Sequence, residues 1–238
     1  MKILLVLQFW ARDKAEAMKR ARLIADLQHE HCDRADFLFV SRFDCPHDPE
    51  TVKQVSRKFN TYTTISKRRG TGWPLGCNDL FFGSLDWIYS NVVAGKIPAY
   101  KAILTFEADS CPLHSNWLQQ LSSEWDAAGT KVYGPQVDPG PHINGNTMLS
   151  GDLQFLKWLS RDIGGCTPHG GWDFVLREEL IKRGVVNALS MRSWWRCPSV
   201  NAETYEQLLA QNVCFLHGCK DDSLVKLVRQ KFNLPPTV

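Results

Sequence analysis

Short apolar runs alternate with helix-length stretches along the first half of this 238-residue chain, and few folds accept that pattern. Ile3-Leu4-Leu5-Val6-Leu7 marks a buried strand over Lys2 to Phe9. A helix is expected from Asp13 to about Gln28, with Ala15, Met18, Ala21, Arg22 and Ala25 at helical spacing. Ala35 to Val40 is a second strand, closed by Ser41-Arg42-Phe43-Asp44-Cys45-Pro46. Asp48-Pro49-Glu50 opens a helix to about Phe59, with Pro near its first position. Tyr62 to Ser66 is β-branched and strand-like. A loop dense in Gly and Pro, Lys67 to Asn78, precedes a helix capped by Asn78 or Asp79 and running through Val93. Ile103 to Phe106, His114 to Ala128 and Lys131 to Gly134 continue as strand, helix and strand. Helices of roughly 10–15 residues between buried strands predict an α/β domain with a mostly parallel central sheet, covered on both faces. Ligands of such sheets gather beyond the carboxyl ends of the strands.

The second half is less regular. Pro139-Gly140-Pro141-His142-Ile143-Asn144-Gly145-Asn146 is a loop returning through a strand at Thr147-Met148-Leu149. Ser150, Gly151 and Asp152 open a helix to about Arg161. Gly164-Gly165 and Gly170-Gly171 bracket a segment expected to be flexible, and Trp172-Asp173 starts a helix to Arg183. Val213 to Leu216 is a last strand, ending in His217-Gly218-Cys219-Lys220. The length suits one domain with a substantial core, divided at about 1–113 and 114–238. No apolar run approaches the ~18 residues of a membrane helix, and the N-terminal run is too short for a signal peptide. The expectation is a cytoplasmic protein that does not enter a membrane. Its eight cysteines include no Cys-x-x-Cys and are read as free thiols. His29, His31, Cys32, Cys45 and His47 match no standard zinc spacing.

Chemistry concentrates where the strand Ile103 to Phe106 ends in Glu107-Ala108-Asp109. Residues i and i+2 of an extended backbone point to one side, and two carboxylates held there repel. Either the strand simply exits into solvent, or the pair holds a hard divalent cation such as Mg2+ or Mn2+. Pro112 is expected to stop the strand and leave the pair at the sheet's rim. Gln8-Phe9-Trp10 and Ser41-Arg42 follow the first two strands towards the same rim. Charge is also uneven: Thr51 to Asn78 holds no acidic residue but contains Lys53, Arg57, Lys58, Lys67, Arg68 and Arg69. That excess suits a diphosphate or a nucleic-acid backbone, or else a solvated helix face and a basic loop.

The order of these features resembles the GT-A family of nucleotide-sugar glycosyltransferases over nearly the whole chain. Glu107-Ala108-Asp109 stands where that family has its Asp-x-Asp signature, with Glu in the first place. Phe215-Leu216-His217-Gly218-Cys219-Lys220 resembles the family's C-terminal strand with a ligating His and a Lys three residues on. The resemblance implies a divalent metal, Mn2+ or Mg2+, held by Asp109 and His217 with Glu107 assisting, and Lys220 neutralising a leaving diphosphate. It implies Asp173 as the base that deprotonates the acceptor, although Asp is also a favoured N-cap. Trp172 is either a sugar-stacking platform or core. Phe9, Ser41 and Arg42 are implied to hold base and ribose, and Gly70, Gly72, Trp73 and Asn78 to form a donor loop. Asn144-Gly145-Asn146 offers amides to sugar hydroxyls, or is an ordinary turn.

A UDP-sugar is the expected donor. The chain is similar in outline to small viral enzymes proposed to glycosylate hydroxymethylated pyrimidines in DNA. Its basic segment and Trp194-Trp195-Arg196 could serve a flipped base in double-stranded DNA. A glycan or protein acceptor would leave much the same sequence. The competing enzyme class, a metal-dependent sugar nucleotidyltransferase, carries a glycine-rich signature after its first strand, and Gln8-Phe9-Trp10-Ala11-Arg12 has no glycine.

Overall fold

The computed structural model describes residues 1–137, 142–164, 170–197 and 199–236. Pro139-Gly140-Pro141 and Gly165 lie outside the described residues. Along the chain run β1 (Ile3–Phe9), α1 (Lys14–Asp26), β2 (Ala35–Ser41), α2 (Pro49–Ser56), β3 (Asn60–Ile65) and α3 (Leu75–Val93). Next come β4 (Ala102–Glu107), β5 (Ser110–Pro112), α4 (Trp117–Ala128), β6 (Val132–Gly134), β7 (Gln136–Val137), β8 (His142–Ile143) and β9 (Thr147–Ser150). The chain closes with α5 (Leu153–Lys157), which continues as a π-helical turn at Trp158–Asp162, then α6 (Trp172–Val175), α7 (Arg177–Lys182), β10 (Val185–Asn187), β11 (Met191–Cys197), α8 (Ala202–Ala210), β12 (Phe215–Cys219) and α9 (Ser223–Lys231).

Seven strands form the central sheet in the order β10-β6-β9-β4-β1-β2-β3. Only β9 runs against its neighbours, β4 and β6; the other pairs are parallel. The expected mostly parallel α/β sheet is what the chain forms. All seven residues of β1 are buried because both faces are covered. Ile3, Leu5, Leu7 and Phe9 point into one layer with Ala17, Met18 and Ala21 of α1. Leu4 and Val6 enter the other with Phe81, Phe82, Leu85 and Ile88 of α3, as strand alternation requires. A second sheet, β11-β12-β5, stands beside the first. Among the described residues no helix is long and apolar enough to cross a membrane.

Several boundaries differ from expectation. Pro112 does not leave the chain at a rim: with only Ala108 and Asp109 between them, β4 is followed by β5, which pairs antiparallel with β12. α3 starts at Leu75, so Asn78 lies inside its first turn rather than capping it. The helix expected from Phe174 to Arg183 is broken at Leu176 into α6 and α7. β12 extends past Leu216, which puts His217 in mid-strand.

Candidate active site

Glu107 is the last residue of β4 and Ser110 the first of β5, so the Glu107-Ala108-Asp109 turn is the seam between the two sheets. Across that seam β12 brings His217 into register with Ser110 on one side and Ser193 of β11 on the other. One ligand atom from each of Glu107, Asp109 and His217 lies within 4.8 Å of the others. Nε2 of His217 is 3.2 Å from Oδ1 of Asp109 and 3.4 Å from Oε2 of Glu107. Lys220 Nζ is paired with the other Asp109 oxygen, Oδ2.

Charge runs high at this corner. Burial works against ionising Asp109, but His217 and Lys220 overcome it and hold the carboxyl well below its usual range. Burial likewise opposes a charged His217, yet Asp109 and Glu107 lift its pKa to about 9. Even so, Asp109 Oδ1 and His217 Nε2 are buried and make no well-aligned hydrogen bond among the described residues. Asp109 Oδ1 and His217 Nε2, buried 3.2 Å apart with a half-exposed carboxylate beside them, fit a divalent cation bound through oxygen and imidazole nitrogen, which would take the place of the imidazole proton. Buried polar atoms otherwise find partners.

The surroundings hold the ligands in place. His217 Nδ1 lies 3.0 Å from Ser193 Oγ and 3.1 Å from Asn144 Nδ2, contacts that orient a metal-binding imidazole. The Asn144 side-chain oxygen accepts from Asn146 N at 2.9 Å. Asn146 Oδ1 in turn accepts from Glu107 N at 3.2 Å and from Ser110 Oγ. Asn144 therefore braces His217, where the sequence suggested contact with a sugar. Gly145 has a spatial reason to be glycine: a Cβ there would lie 2.7 Å from Oε1 of Glu107. Ser110 and Ser193 escape sequence reading because only strand pairing brings them to the seam.

The nucleotide-side residues divide. Phe9 is fully buried, its ring edge-on to His47 at 5.9 Å, so it offers a ligand no ring face; its carbonyl accepts from Arg42 N. Ser41 is buried too. Arg42 does reach the strand ends: its guanidinium pairs with Asp44 and lies over Trp10 at 4.8 Å and Phe43 at 5.7 Å. Asp13, read in the sequence only as a helix start, accepts from Trp10 N at 2.7 Å. Burial, then the charges of Glu107 and Asp109, push its pKa up to about 6.

Asp173 lies in the first turn of α6, whose N-cap is Gly171. Asp173 therefore does not cap that helix; its Oδ1 accepts from Phe174 N at 3.0 Å. Burial, with Glu107 contributing, raises its pKa, in the direction that suits a proton acceptor. Trp172 stacks on Phe81 with centroids 3.5 Å apart and is buried, so it is core. Asn78 links α3 to this turn, donating to Gly170 O and accepting from Trp172 N, each at 2.9 Å. Gly72 adopts a left-handed φ of 68°, and Trp73 beside it is exposed.

The basic segment separates as well. Lys67, Arg68 and Arg69 follow β3 towards the seam edge. Lys58 O instead accepts from Cys32 N, before the start of β2, so Arg57 and Lys58 sit at the opposite end of the strands. Trp194 belongs to β11, while the side chains of Trp195 and Arg196 lie outside the described residues. Among the described residues, Glu107, Asp109 and His217 are the one group of three or more convergent metal-binding side chains. The histidines and cysteines between His29 and His47 do not assemble.

No protein-family model matches the chain, and no curated protein matches it in sequence. Solved structures do. An active-site mutant of LgtC aligns with 99% of this chain and 97% of its own, at TM-score 0.56 and 10% identity. The bifunctional glycosyltransferase WbbM aligns with 98% of this chain at TM-score 0.58 and 9% identity. The present chain spans about half of WbbM, 50%. The glycosyltransferase GlyE of Streptococcus pneumoniae aligns at TM-score 0.53 and 10% identity, covering 98% of this chain and 64% of GlyE. The chain has the GT-A glycosyltransferase fold.

Proposed function

We propose that the protein moves a glycosyl group from a nucleoside-diphosphate sugar, a UDP-sugar first among them, to an acceptor hydroxyl. One observation carries this reading: Glu107, Asp109 and His217 converge at the seam with Lys220 on the same carboxylate, beyond the carboxyl end of β4. Bound there, Mn2+ or Mg2+ would supply a Lewis acid for the diphosphate. Asp109 and His217 would hold it, with Glu107 direct or through water. Lys220, more than half exposed at its side chain (58%), can leave Asp109 and meet the charge developing on the diphosphate. Arg42, stacked on Trp10 and paired with Asp44, stands just past the end of β2, where base and ribose would lie.

Asp173 takes the proton of the acceptor hydroxyl as its oxygen bonds to the sugar's anomeric carbon. The bond from that carbon to the diphosphate oxygen breaks, and the nucleoside diphosphate leaves with the electron pair. A hydroxymethylated pyrimidine in DNA and a sugar hydroxyl are both acceptors of this kind. A thermal-shift panel of nucleotide sugars with and without Mn2+ tests the donor half. The reading expects a UDP-sugar shift that needs metal, followed by release of UDP with an acceptor present. Shifts indifferent to Mn2+, or incorporation of a nucleotide into a sugar phosphate, would refute it.

A further inference from the structure

We infer that the space between the Trp73 indole and the Asp173 carboxylate is the acceptor subsite, and that it takes a sugar ring. The C–H face of a pyranose would lie on the indole, with a hydroxyl turned to the carboxylate. This rests on the transferase reading above and names the acceptor class.

Trp73 is 77% exposed, although an indole is ordinarily among the best-buried side chains. The backbone on either side of it is nonetheless anchored: Gly76 N donates to Gly72 O at 2.7 Å, Asn78 N to Pro74 O at 3.0 Å, and Gly70 N to Asp79 Oδ2 at 2.5 Å. Gly171 faces it with φ −59° and ψ 139°, a conformation open to any residue. Space is what demands glycine. A Cβ at Gly171 would lie 2.6 Å from Asp173 Oδ1 and 3.8 Å from Trp73 Nε1. The indole nitrogen and the carboxylate thus stand on either side of Gly171, close enough for one bound ring to reach both, and Asn78 ties the two segments together.

The charge nearby is mixed rather than the continuous basic strip a polyanion needs. Glu107 and His142 act on Asp173 in opposite senses; one turn on, Glu178 and Glu179 are exposed, with Glu179 tied to Lys182 at 2.7 Å and Arg177 over the Phe174 ring. Arg68 is engaged by Gly164 O at 3.3 Å, and Arg57 and Lys58 lie at the far end of the sheet. Duplex DNA needs several phosphate contacts to dock; a sugar ring on an indole needs none.

Binding of lactose, cellobiose and maltotriose, measured by saturation-transfer NMR with UDP and Mn2+ present, tests the subsite without requiring turnover. A hydroxymethylated duplex is the competing probe. At least one saccharide should bind wild type, Trp73→Ala should weaken it at least tenfold, and Trp73→Phe should restore most of the affinity. Gly171→Ala should also weaken it with little change in Tm. The Mn2+-dependent thermal shift with UDP should persist in Gly171→Ala. Saccharide binding indifferent to Trp73, no saccharide binding, capture of the duplex alone, or loss of the UDP shift in Gly171→Ala would each overturn the inference. Failure of the transferase reading would show separately, as saccharide binding without consumption of any nucleotide sugar.

Discussion

The two sheets of this molecule are built in opposite ways. The central sheet uses near-continuous apolar strands joined by helices, and its β1, β2 and β4 bury every residue but Glu107. The small sheet gathers β5, β11 and β12 from separate parts of the chain. Its register slips between Ser193 and Cys197. Gly218, directly after His217, holds a φ of 103° with Trp194 O only 1.8 Å from where a Cβ would stand. Both sheets pack: Phe215, Leu216 and Cys219 of β12 are buried in the same core as β1. What the small sheet adds is His217, whose Nε2, like Asp109 Oδ1 beside it, makes no well-aligned hydrogen bond among the described residues at the seam with Glu107. Metal chemistry therefore depends on the small sheet's geometry, while the central sheet mainly supplies stability.

That division can be broken experimentally. His217→Ala should cost the largest share of activity, about 10^3-fold or roughly 4 kcal/mol in kcat/KM. The Mn2+-dependent thermal shift should vanish while the metal-free Tm changes little. Gly218→Ala should lower stability by about 3 kcal/mol, read from the denaturant midpoint, because its conformation and its space both exclude a side chain. It should weaken Mn2+ binding too. Leu104→Ala, a buried residue of β4, should cost a comparable 2–5 kcal/mol, as cavity formation does, yet leave Mn2+ affinity within about twofold. If Leu104→Ala disturbs the metal as much as Gly218→Ala, the division is wrong. Asn144→Ala should weaken Mn2+ binding about 10- to 100-fold through His217.

Asp13→Asn gives the smallest effect and carries a pH signature. The folded pKa of about 6 stands above the ordinary 3.8, so the folded state holds this proton more tightly than the unfolded one. Ionised Asp13 therefore subtracts stability progressively as pH rises from about 4 to 6, and fully above that. Asp13→Asn should raise stability by about 1 kcal/mol at pH 7.5, after allowing for solvent screening, and the gain should fade towards pH 4.

Sequence alone reads the central sheet well because packing on both faces leaves long apolar runs at β1, β2 and β4. The same buried runs hide which way each side chain points. Phe9 follows Ile3, Leu5 and Leu7 into one layer, and its alternation with them could have excluded it as a base-stacking residue. The carboxylates, His217 and Lys220 were legible as residue types at strand ends. Their convergence was not, since it depends on β5 pairing with β12 across more than a hundred residues. β11 and α8 went unread: β11 mixes polar and aromatic residues, and α8 is announced only by its Asn201 cap on Thr204 N. Lys53, Arg57 and Lys58 formed one basic segment with Lys67, Arg68 and Arg69 in sequence, but α2 carries the first group away from the seam.

The central claim is a metal-dependent donor site at the seam of the two sheets. Anomalous diffraction at the manganese edge, from crystals soaked with Mn2+ and UDP, tests it most directly. The account predicts one strong peak in contact with Asp109 and His217, with the UDP diphosphate on its open side and Lys220 turned towards it. Manganese bound elsewhere, or UDP held in the cleft with no manganese beside Asp109, would contradict it.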